Sequence, residues 1–302
     1  MIAVFYLFLM RRSPFWVGRF FGYGGFATAT RRYVRALLPY FPEMKIGSLE
    51  ALPPDHEFTP LCGEPQESDF IVVNHLPVTD PEAPAYLSVW EYDHIPDSWA
   101  NVLHQAQLIL TQSEYCKNVF GKAIGEFGKI NIIPYILGDD ILHYSRDILA
   151  TDTVIRSELF YSRSFCTFGS AFEWVARKIP DRMIQAFLEE FEPHEAARLV
   201  LRTNPPDEVT LKQEWGQIFE QFEKAVKAHR ITVISTPIPQ IIDFYQGIDA
   251  FILCTAGEGY GQPLTEAMAC GLPTIAANHS GNLEFMRSEE HTSELQSPNT
   301  IS

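Results

Sequence analysis

The chain has 302 residues, of which 46% are hydrophobic and 20% are charged, and its formal net charge is −15 at pH 7. It is too long for one small core and suits two domains of an ordinary folded protein. The negative charge argues against a protein that holds nucleic acid, or an anionic membrane, through a general basic field, and it leaves room for a local basic pocket.

The first apolar segment, residues 2–10, is followed by Arg11 and Arg12. It is too short to span a membrane, which takes about twenty residues, and a signal peptide carries its positive charge before the apolar run. We therefore expect a strand, or an upstream extension from a wrongly chosen start. A weak peripheral membrane contact of this segment is a hypothesis.

A strand, a glycine-rich turn and a helix follow. The sequence predicts the strand at residues 15–18, the turn around Gly22, Gly24 and Gly25, and the helix at residues 26–38. Glycine lets a ligand approach the backbone, so Gly24 and Gly25 are candidates for ligand contact; a tight turn that needs a positive φ is the alternative. Residues 52–67 are rich in Pro, Asp and Glu and predict an exposed loop.

Two buried strands are predicted at residues 70–73 and 85–89, and polar groups lie just after each of them. Open α/β sheets bind ligands at the carboxyl ends of their strands, so these groups are candidates for substrate contact. For the histidines, a role as satisfied loop residues is the alternative. The candidates are His75 after the first strand and Glu91, Asp93 and His94 after the second.

The remaining elements alternate between strand and helix. In the first half they are a helix at 97–106, a strand at 108–111, a helix at 113–126 with Ser113 as N-cap, and a strand at 130–133. In the second half, strands at 165–168, 199–203, 231–235, 249–254 and 274–277 are separated by helices at 181–191, 209–229 and 240–246. Such alternation gives right-handed crossovers and a parallel sheet, so we predict a Rossmann-like domain in the second half.

The five cysteines form no Cys-x-x-Cys pair and no Cys/His metal spacing, and three of them lie in apolar segments. We therefore predict buried, inert thiols in a reducing cytosol, a cytoplasmic location and no metal site.

The most informative stretch lies after the predicted strand 249–254. Gly257, Gly259 and Gly261 form a flexible turn, and Pro263 suits the first position of a short helix that ends at Gly271. A helix start that faces a glycine-rich turn offers free N–H groups to an anion such as a phosphate. Glu258 and Glu266 can border the same pocket, where a carboxylate accepts hydrogen bonds from sugar hydroxyls. An ordinary strand-to-helix connection, with Glu266 favourable to the helix dipole, is the alternative.

The segment Glu258-Gly-Tyr-Gly-Gln-Pro-Leu-Thr-Glu266 resembles the Glu-x7-Glu signature of retaining glycosyltransferases with the GT-B fold, notably family four. The resemblance implies an α/β protein with two Rossmann-like domains whose parallel sheets face each other across a cleft. It also implies transfer of a sugar from a nucleotide-diphosphate donor, the co-substrate, to a hydroxyl of a carbohydrate or another acceptor, with no metal and no further cofactor. Glu258 would hold the transferred sugar and Glu266 the ribose hydroxyls. The helix start at Pro263 and the backbone of Gly259, Tyr260, Gly261 and Gln262 would meet the sugar and phosphates.

A second segment, Phe172-Glu-Trp-Val-Ala-Arg-Lys178, resembles the family's Phe-Asp-Trp-x-x-Arg-Lys-Gly segment, whose basic residues clamp the donor diphosphate. Lys178 and Arg177 would act as this clamp and complete the catalytic set with Glu258. Ile179 stands where the family has glycine, which puts the geometry of the turn in question. A solvated pair of charges at a helix start is the alternative.

Two N-terminal segments resemble the same family. The turn at Gly24 and Gly25 is similar to a Ser-Gly-Tyr-Gly loop that lies across the cleft from the donor phosphates, with Phe21 in place of the serine. The segment 90–96 resembles a Trp-Glu-x-Asp-x-x-Pro segment that borders the acceptor side. This likeness makes Glu91, Asp93 and His94 acceptor-side candidates.

These patterns give a domain map and leave alternatives. We predict an N-terminal domain at 1–137, a linker at 138–158 and a donor domain at 159–286 that is incomplete. Residues 287–302 resemble the translation of a sequencing adaptor, so we expect a non-native tail there. One alternative is a non-catalytic or inactive, truncated relative that binds nucleotide sugars. A nucleotide-dependent oxidoreductase is less favoured, because residues 22–27 lack the Gly-x-Gly-x-x-Gly spacing.

Overall fold

The computed structural model describes residues 13–22, 24–67, 69–74, 83–139, 141–144, 165–235 and 241–286. These residues form two parallel β-sheets, one in each half of the chain. We call residues 13–137 the N-lobe and residues 165–286 the C-lobe. The predicted segment 2–10, most of the predicted linker 138–158 and the predicted tail 287–302 lie outside the described residues.

The N-lobe is built on a six-stranded sheet with the order β2-β1-β3-β4-β5-β6. Its centre is apolar on both faces, as a parallel sheet covered by helices requires; Trp16, for example, is fully buried. The strands are β1 (Pro14–Gly18), β2 (Ile46–Ser48), β3 (Phe70–Asn74), β4 (Ala85–Leu87), β5 (Leu108–Thr111) and β6 (Ile130–Ile132). The helices are α1 (Gly25–Leu37), α2 (Asp97–Gln105) and α3 (Glu114–Ile124), and a 3-10 turn covers Thr59–Leu61.

The C-lobe is built on a five-stranded parallel sheet with the order β11-β10-β7-β8-β9. The strands are β7 (Cys166–Ala171), β8 (Ala197–Arg202), β9 (Ile231–Ile234), β10 (Ala250–Leu253) and β11 (Thr274–Ala276). The helices are α4 (Pro180–Glu190), α5 (Glu208–Trp215), α6 (Gln217–Lys227), α7 (Ile241–Gln246) and α8 (Gln262–Ala269). Further 3-10 turns cover Ala176–Lys178 and Gly281–Glu284.

The strand order of the C-lobe predicts where a ligand would bind. From β7 the chain proceeds to β8 and β9 on one side and then returns to β10 and β11 on the other. In an open α/β sheet, ligands bind at the carboxyl ends of the strands where the order reverses in this way. Here that point lies beyond Ala171, the last residue of β7, and Leu253, the last residue of β10.

The predicted parallel α/β architecture is confirmed, with local corrections. The strand predicted at 85–89 ends at Leu87, and β2 was not predicted because three residues carry little periodic signal. The helix predicted at 209–229 is two helices, α5 and α6, separated by Gly216, whose φ of 53° and ψ of −117° are outside the helical region. Only Leu211 is buried in α5, whereas α6 buries Phe219, Phe222 and Ala225.

Replacing Gly216 with alanine is expected to lower the free energy of unfolding by about 1–3 kcal/mol, because a Cβ is strained in this backbone conformation. Urea unfolding followed by circular dichroism measures the change. Gly63→Ala is the matched control, since an added Cβ there would make only ordinary contacts with the Lys45 side chain, from 3.4 Å. Equal stabilities of the two variants would contradict the assigned break.

Candidate functional site

The structure brings four charged residues together beyond the carboxyl ends of β7 and β10. Lys178 Nζ contacts Glu258 Oε1, and Arg177 Nη1 lies 3.5 Å from the same oxygen. Arg177 Nη2 also lies 2.8 Å from Oε1 of Glu91, which belongs to the N-lobe. The three residues predicted as catalytic therefore form one network, and a predicted acceptor-side residue joins it.

The Lys178–Glu258 pair at the centre of the network is buried, which changes the energetics of its charges. Lys178 and Glu258 are each 6% exposed. Desolvation lowers the pKa of Lys178, opposed by the adjacent carboxylate of Glu258. Desolvation raises the pKa of Glu91, opposed by the charge of Arg177. Each buried charge thus depends on its partner, because an unpaired ion in a protein interior is strongly unfavourable.

The turn that carries the two basic residues has an unusual end. The Ala176–Lys178 turn is followed by Ile179 at φ 37° and ψ 52°, in the left-handed region that favours glycine. Ile179 therefore adopts the conformation expected of the glycine that it replaces in the resemblance. Helix α4 then begins at Pro180, which suits a first helical position.

The second predicted carboxylate, Glu266, has other partners. It lies on α8, is 7% exposed, and its Oε1 lies 2.7 Å from Nη1 of Arg32. Oε1 also accepts a hydrogen bond from the Tyr135 hydroxyl at 3.1 Å, and Oε2 accepts one from the Tyr245 hydroxyl at 2.9 Å. Burial, and then the Glu266 charge, raise the pKa values of both tyrosines, so both remain hydrogen-bond donors. Sequence reasoning missed Arg32, Tyr135 and Tyr245.

The glycine turn, residues 255–261, connects a strand to a helix as predicted, but its glycines lie against the N-lobe. Gly261 has φ 96° and caps α8, and Pro263 lies in the first turn of that helix. At Gly257 an added Cβ would overlap the carbonyl oxygen of Glu91, and at Gly259 it would lie 2.8 Å from Cβ of Val89. The glycines were expected to make room for a ligand; in the structure the segment 89–91 of the N-lobe approaches them.

Other predicted donor-site residues also meet the N-lobe. The Tyr260 ring is buried in the N-lobe core, with its centroid 5.8 Å from that of Tyr135. Gln262 Oε1 would lie 3.3 Å from a Cβ added to Gly25, so the start of α8 faces the start of α1. At Gly24 an added Cβ would meet no heavy atom of the described residues within 4 Å. Of the two glycines predicted to contact a ligand, Gly24 and Gly25, it is therefore Gly25 that lies beside α8.

The N-terminus of α3 holds the glycine turn from the N-lobe. Ser113 Oγ accepts a hydrogen bond from Cys116 N at 3.2 Å, which confirms the predicted N-cap. The same hydroxyl donates to the carbonyl oxygen of Gly259 at 2.6 Å. Glu114 N donates to Glu284 Oε2 at 2.7 Å, so the C-lobe also caps this helix.

Ser113→Ala is expected to lower the free energy of unfolding by about 2 kcal/mol, because it removes a helix cap and leaves the Gly259 carbonyl with only the weaker donor Cys116 Sγ, at 3.2 Å. Asp207→Ala is the control: Asp207 caps α5 by accepting from Val209 N at 3.0 Å and does not bridge the lobes. Its loss should be smaller than that of Ser113→Ala, because only an exposed helix cap is removed. Chemical denaturation of both variants measures the difference, and equal losses would mean that the bond to Gly259 contributes nothing.

Two further acceptor-side candidates, Asp93 and His94, pair with each other at the surface. Asp93 and His94 are highly exposed, and Asp93 Oδ1 lies 2.6 Å from His94 Nδ1. The hydrogen bond from His94 lowers the pKa of Asp93. His75 lies outside the described residues. Of the three candidates within the described residues, Glu91 contacts one of the catalytic candidates, Arg177.

Three further observations concern metals, thiols and membranes. No group of three or more His, Cys, Asp or Glu side chains within the described ranges is arranged to hold a metal ion. All five cysteines are free; Cys116 and Cys270 are buried, Cys166 and Cys254 are partly exposed, and Cys62 is exposed, so buried thiols are confirmed for two of the five. None of the described helices has the length and apolar character needed to cross a bilayer.

Comparison with known proteins identifies the fold. Residues 176–300 match the sequence model of the family "Glycosyl transferases group 1", and no curated protein sequence matches the chain. One similar solved structure is Anabaena Alr3699/HepE in complex with UDP and glucose, with 14% identity, a TM-score of 0.62 and coverage of 90% of this chain and 82% of that one. Another is WaaG, a glycosyltransferase involved in lipopolysaccharide biosynthesis, with 13% identity, a TM-score of 0.61 and coverage of 89% of this chain and 81% of that one. A third is trehalose-6-phosphate from E. coli bound with UDP-2-fluoro glucose, with 12% identity, a TM-score of 0.57 and coverage of 89% of this chain and 85% of that one. The GT-B fold expected from the sequence is confirmed.

Proposed function

We propose that the chain is a retaining glycosyltransferase that moves a sugar from a nucleotide-diphosphate sugar to a hydroxyl of an acceptor. One observation carries the proposal: Arg177, Lys178 and Glu258 converge at the ligand-binding edge of the C-lobe sheet. These residues lie within the region that matches the group 1 family. The UDP and UDP-sugar complexes of proteins with the same fold support a nucleotide-sugar donor.

The two cations would act on the leaving group. When the bond between the sugar and the diphosphate breaks, negative charge grows on the phosphate oxygen. Lys178 and Arg177 would stabilise that charge, as would the free N–H groups at the start of α8, and fixed charges in a buried site contribute most to catalysis. A metal ion or another cofactor has no role in this proposal.

The two carboxylates would orient the donor. Glu258 would release Lys178 to the diphosphate and accept hydrogen bonds from hydroxyls of the transferred sugar, while Glu266 would accept them from the ribose. The backbone of residues 259–262 would face the sugar and phosphates. Exchange of partners within a buried network avoids leaving any charge unpaired, which the burial of Glu258 and Lys178 requires.

The acceptor hydroxyl would attack from the face that the diphosphate leaves. A new carbon–oxygen bond forms as the sugar–phosphate bond breaks, and the hydroxyl proton passes to the departing phosphate. The configuration at the sugar carbon is then retained without a protein nucleophile. Glu91, which contacts Arg177, would border the acceptor. His75, Asp93 and His94 are proposed as further acceptor-side residues. We also propose a cytoplasmic location and a weak membrane contact of residues 2–10.

The test is an assay of the purified chain against a panel of nucleotide sugars and hydroxyl acceptors. The readouts are released nucleoside diphosphate and the anomeric configuration of the product by NMR. We expect release from one donor class, a retained anomer, and loss of both in Glu266→Ala. Donor binding without release would favour the non-catalytic alternative, and equal binding by the parent chain and Glu266→Ala would contradict the donor site.

A further inference from the structure

Arg32 reaches from the N-lobe to the proposed ribose-binding carboxylate of the C-lobe. It lies on α1, two helical turns after Gly25, and its Nη1 is 2.7 Å from Glu266 Oε1. Both side chains are 9% exposed. The guanidinium also contacts the Tyr135 hydroxyl and packs 5.1 Å from the centre of that ring. Arg32 is thus held by its own lobe while it binds the other.

The contact belongs to a continuous seam between α1 and α8. Gln262, the first residue of α8, faces Gly25, the first residue of α1. One turn further along α8, Glu266 meets Arg32. On the flank of this seam, Tyr260 inserts into the N-lobe core. Separating the lobes would therefore pull Arg32 away from Glu266.

The hydrogen-bonding capacity of Glu266 makes this contact relevant to a ligand. An ionised carboxylate offers about four acceptor positions. Three are used, by Arg32 and Tyr135 on Oε1 and by Tyr245 on Oε2. Arg32 consequently fixes which oxygen of Glu266 faces a ribose, and it does so only while the lobes are together.

We propose that Arg32 is a positioning residue for the nucleotide, which orients Glu266 and holds the two lobes closed around it. The inference rests on the proposed function. A buried ion pair gives little net stability, so the pair is better explained by a role in fixing an arrangement than by a role in folding. If only closed molecules bind the nucleotide, the apparent dissociation constant rises in proportion as the closed fraction falls.

The first experiment measures UDP and GDP affinity by isothermal titration calorimetry. We expect Arg32→Met to weaken binding by about tenfold, and Glu266→Gln by at least as much. The double variant should bind no more weakly than Glu266→Gln alone, because Arg32 acts through that carboxylate. Arg32→Lys should fall between the parent chain and Arg32→Met, since it keeps the charge but not the planar fork.

Arg35→Met is the matched control. Arg35 lies on the same helix, but its ion pair with Glu57 is half exposed and stays within the N-lobe. This variant should bind the nucleotides within about twofold of the parent, as expected for an exposed pair. Unchanged affinity in Arg32→Met, or additive losses in the double variant, would overturn the proposal.

Small-angle X-ray scattering of the same variants separates this inference from the proposed function. Arg32→Met should have a larger radius of gyration than the parent chain and Arg35→Met. If no variant binds a nucleotide, the proposed function fails, and the scattering still decides whether Arg32 holds the lobes together. An unchanged radius of gyration would overturn that role.

Discussion

Replacing Lys178 with methionine is expected to lower the turnover number of the proposed transfer by about 100- to 1,000-fold, the loss typical of removing one group that stabilises charge in a transition state. Lys178 is 6% exposed and contacts Glu258, so its charge acts in a site from which water is largely excluded. Steady-state kinetics with saturating donor measures the effect. The substitution removes the cation that contacts the buried Glu258 carboxylate and leaves it with Arg177, whose Nη1 lies 3.5 Å from Glu258 Oε1. Since this can destabilise the protein, the folded fraction must be measured as well.

Two variants make the Lys178 experiment specific. Lys178→Arg keeps the charge and should retain more activity than Lys178→Met. Lys122→Met changes an exposed lysine in the last turn of α3 and should be as active as the parent chain. If Lys178→Met folds and keeps its turnover number within about tenfold of the parent, Lys178 contributes at most about 1.4 kcal/mol to the barrier and is not a clamp of the leaving group.

Gly281→Ala is expected to reduce the rate of transfer by about 100-fold, the loss that follows when reacting groups are misplaced by about 1 Å. The Cβ of an alanine would overlap the carbonyl oxygen of Gly259 and lie 2.7 Å from that of Glu258. Gly281 N also donates to the Glu258 carbonyl at 2.8 Å, so the two segments cannot separate without losing this bond. The glycine turn must therefore move, and the Glu258 carboxylate with it.

The same variant should lose about 1–3 kcal/mol of unfolding free energy, as overpacked sites do. Activity and urea denaturation measured on the same preparation distinguish a misplaced site from an unfolded protein. Gly128→Ala is the control, because an added Cβ there would meet no heavy atom of the described chain within 4 Å. A Gly281→Ala protein with normal activity would show that the position of the glycine turn does not govern catalysis.

The part of the site that could be predicted is the part encoded locally. Residues 250–253 form an unbroken apolar run, and the glycines and Pro263 that follow determine a turn and a helix start. Arg177 and Lys178 follow β7 in the same way. Since parallel strands deliver their carboxyl ends to one edge, local patterns suffice to predict that Glu258 and Lys178 meet.

The part that could not be predicted depends on how the lobes face each other. Nothing in the spacing of Arg32 and Glu266, which are 234 positions apart, indicates that they pair. The same holds for Glu91 with Arg177, and for Ser113 with the carbonyl of Gly259. These contacts result from the packing of one lobe against the other, which leaves no periodic signal in the sequence.

The isoleucine that follows Lys178 has a consequence for the rigidity of the site. A branched side chain in left-handed backbone raises the energy by about 1–2 kcal/mol relative to glycine, and it also leaves far fewer neighbouring conformations open. Glycine at position 179 would let the backbone that follows Arg177 and Lys178 rotate more freely. Ile179 restricts this backbone: it lowers the stability of the protein to some extent, and it limits the orientations that the Lys178 ammonium can adopt.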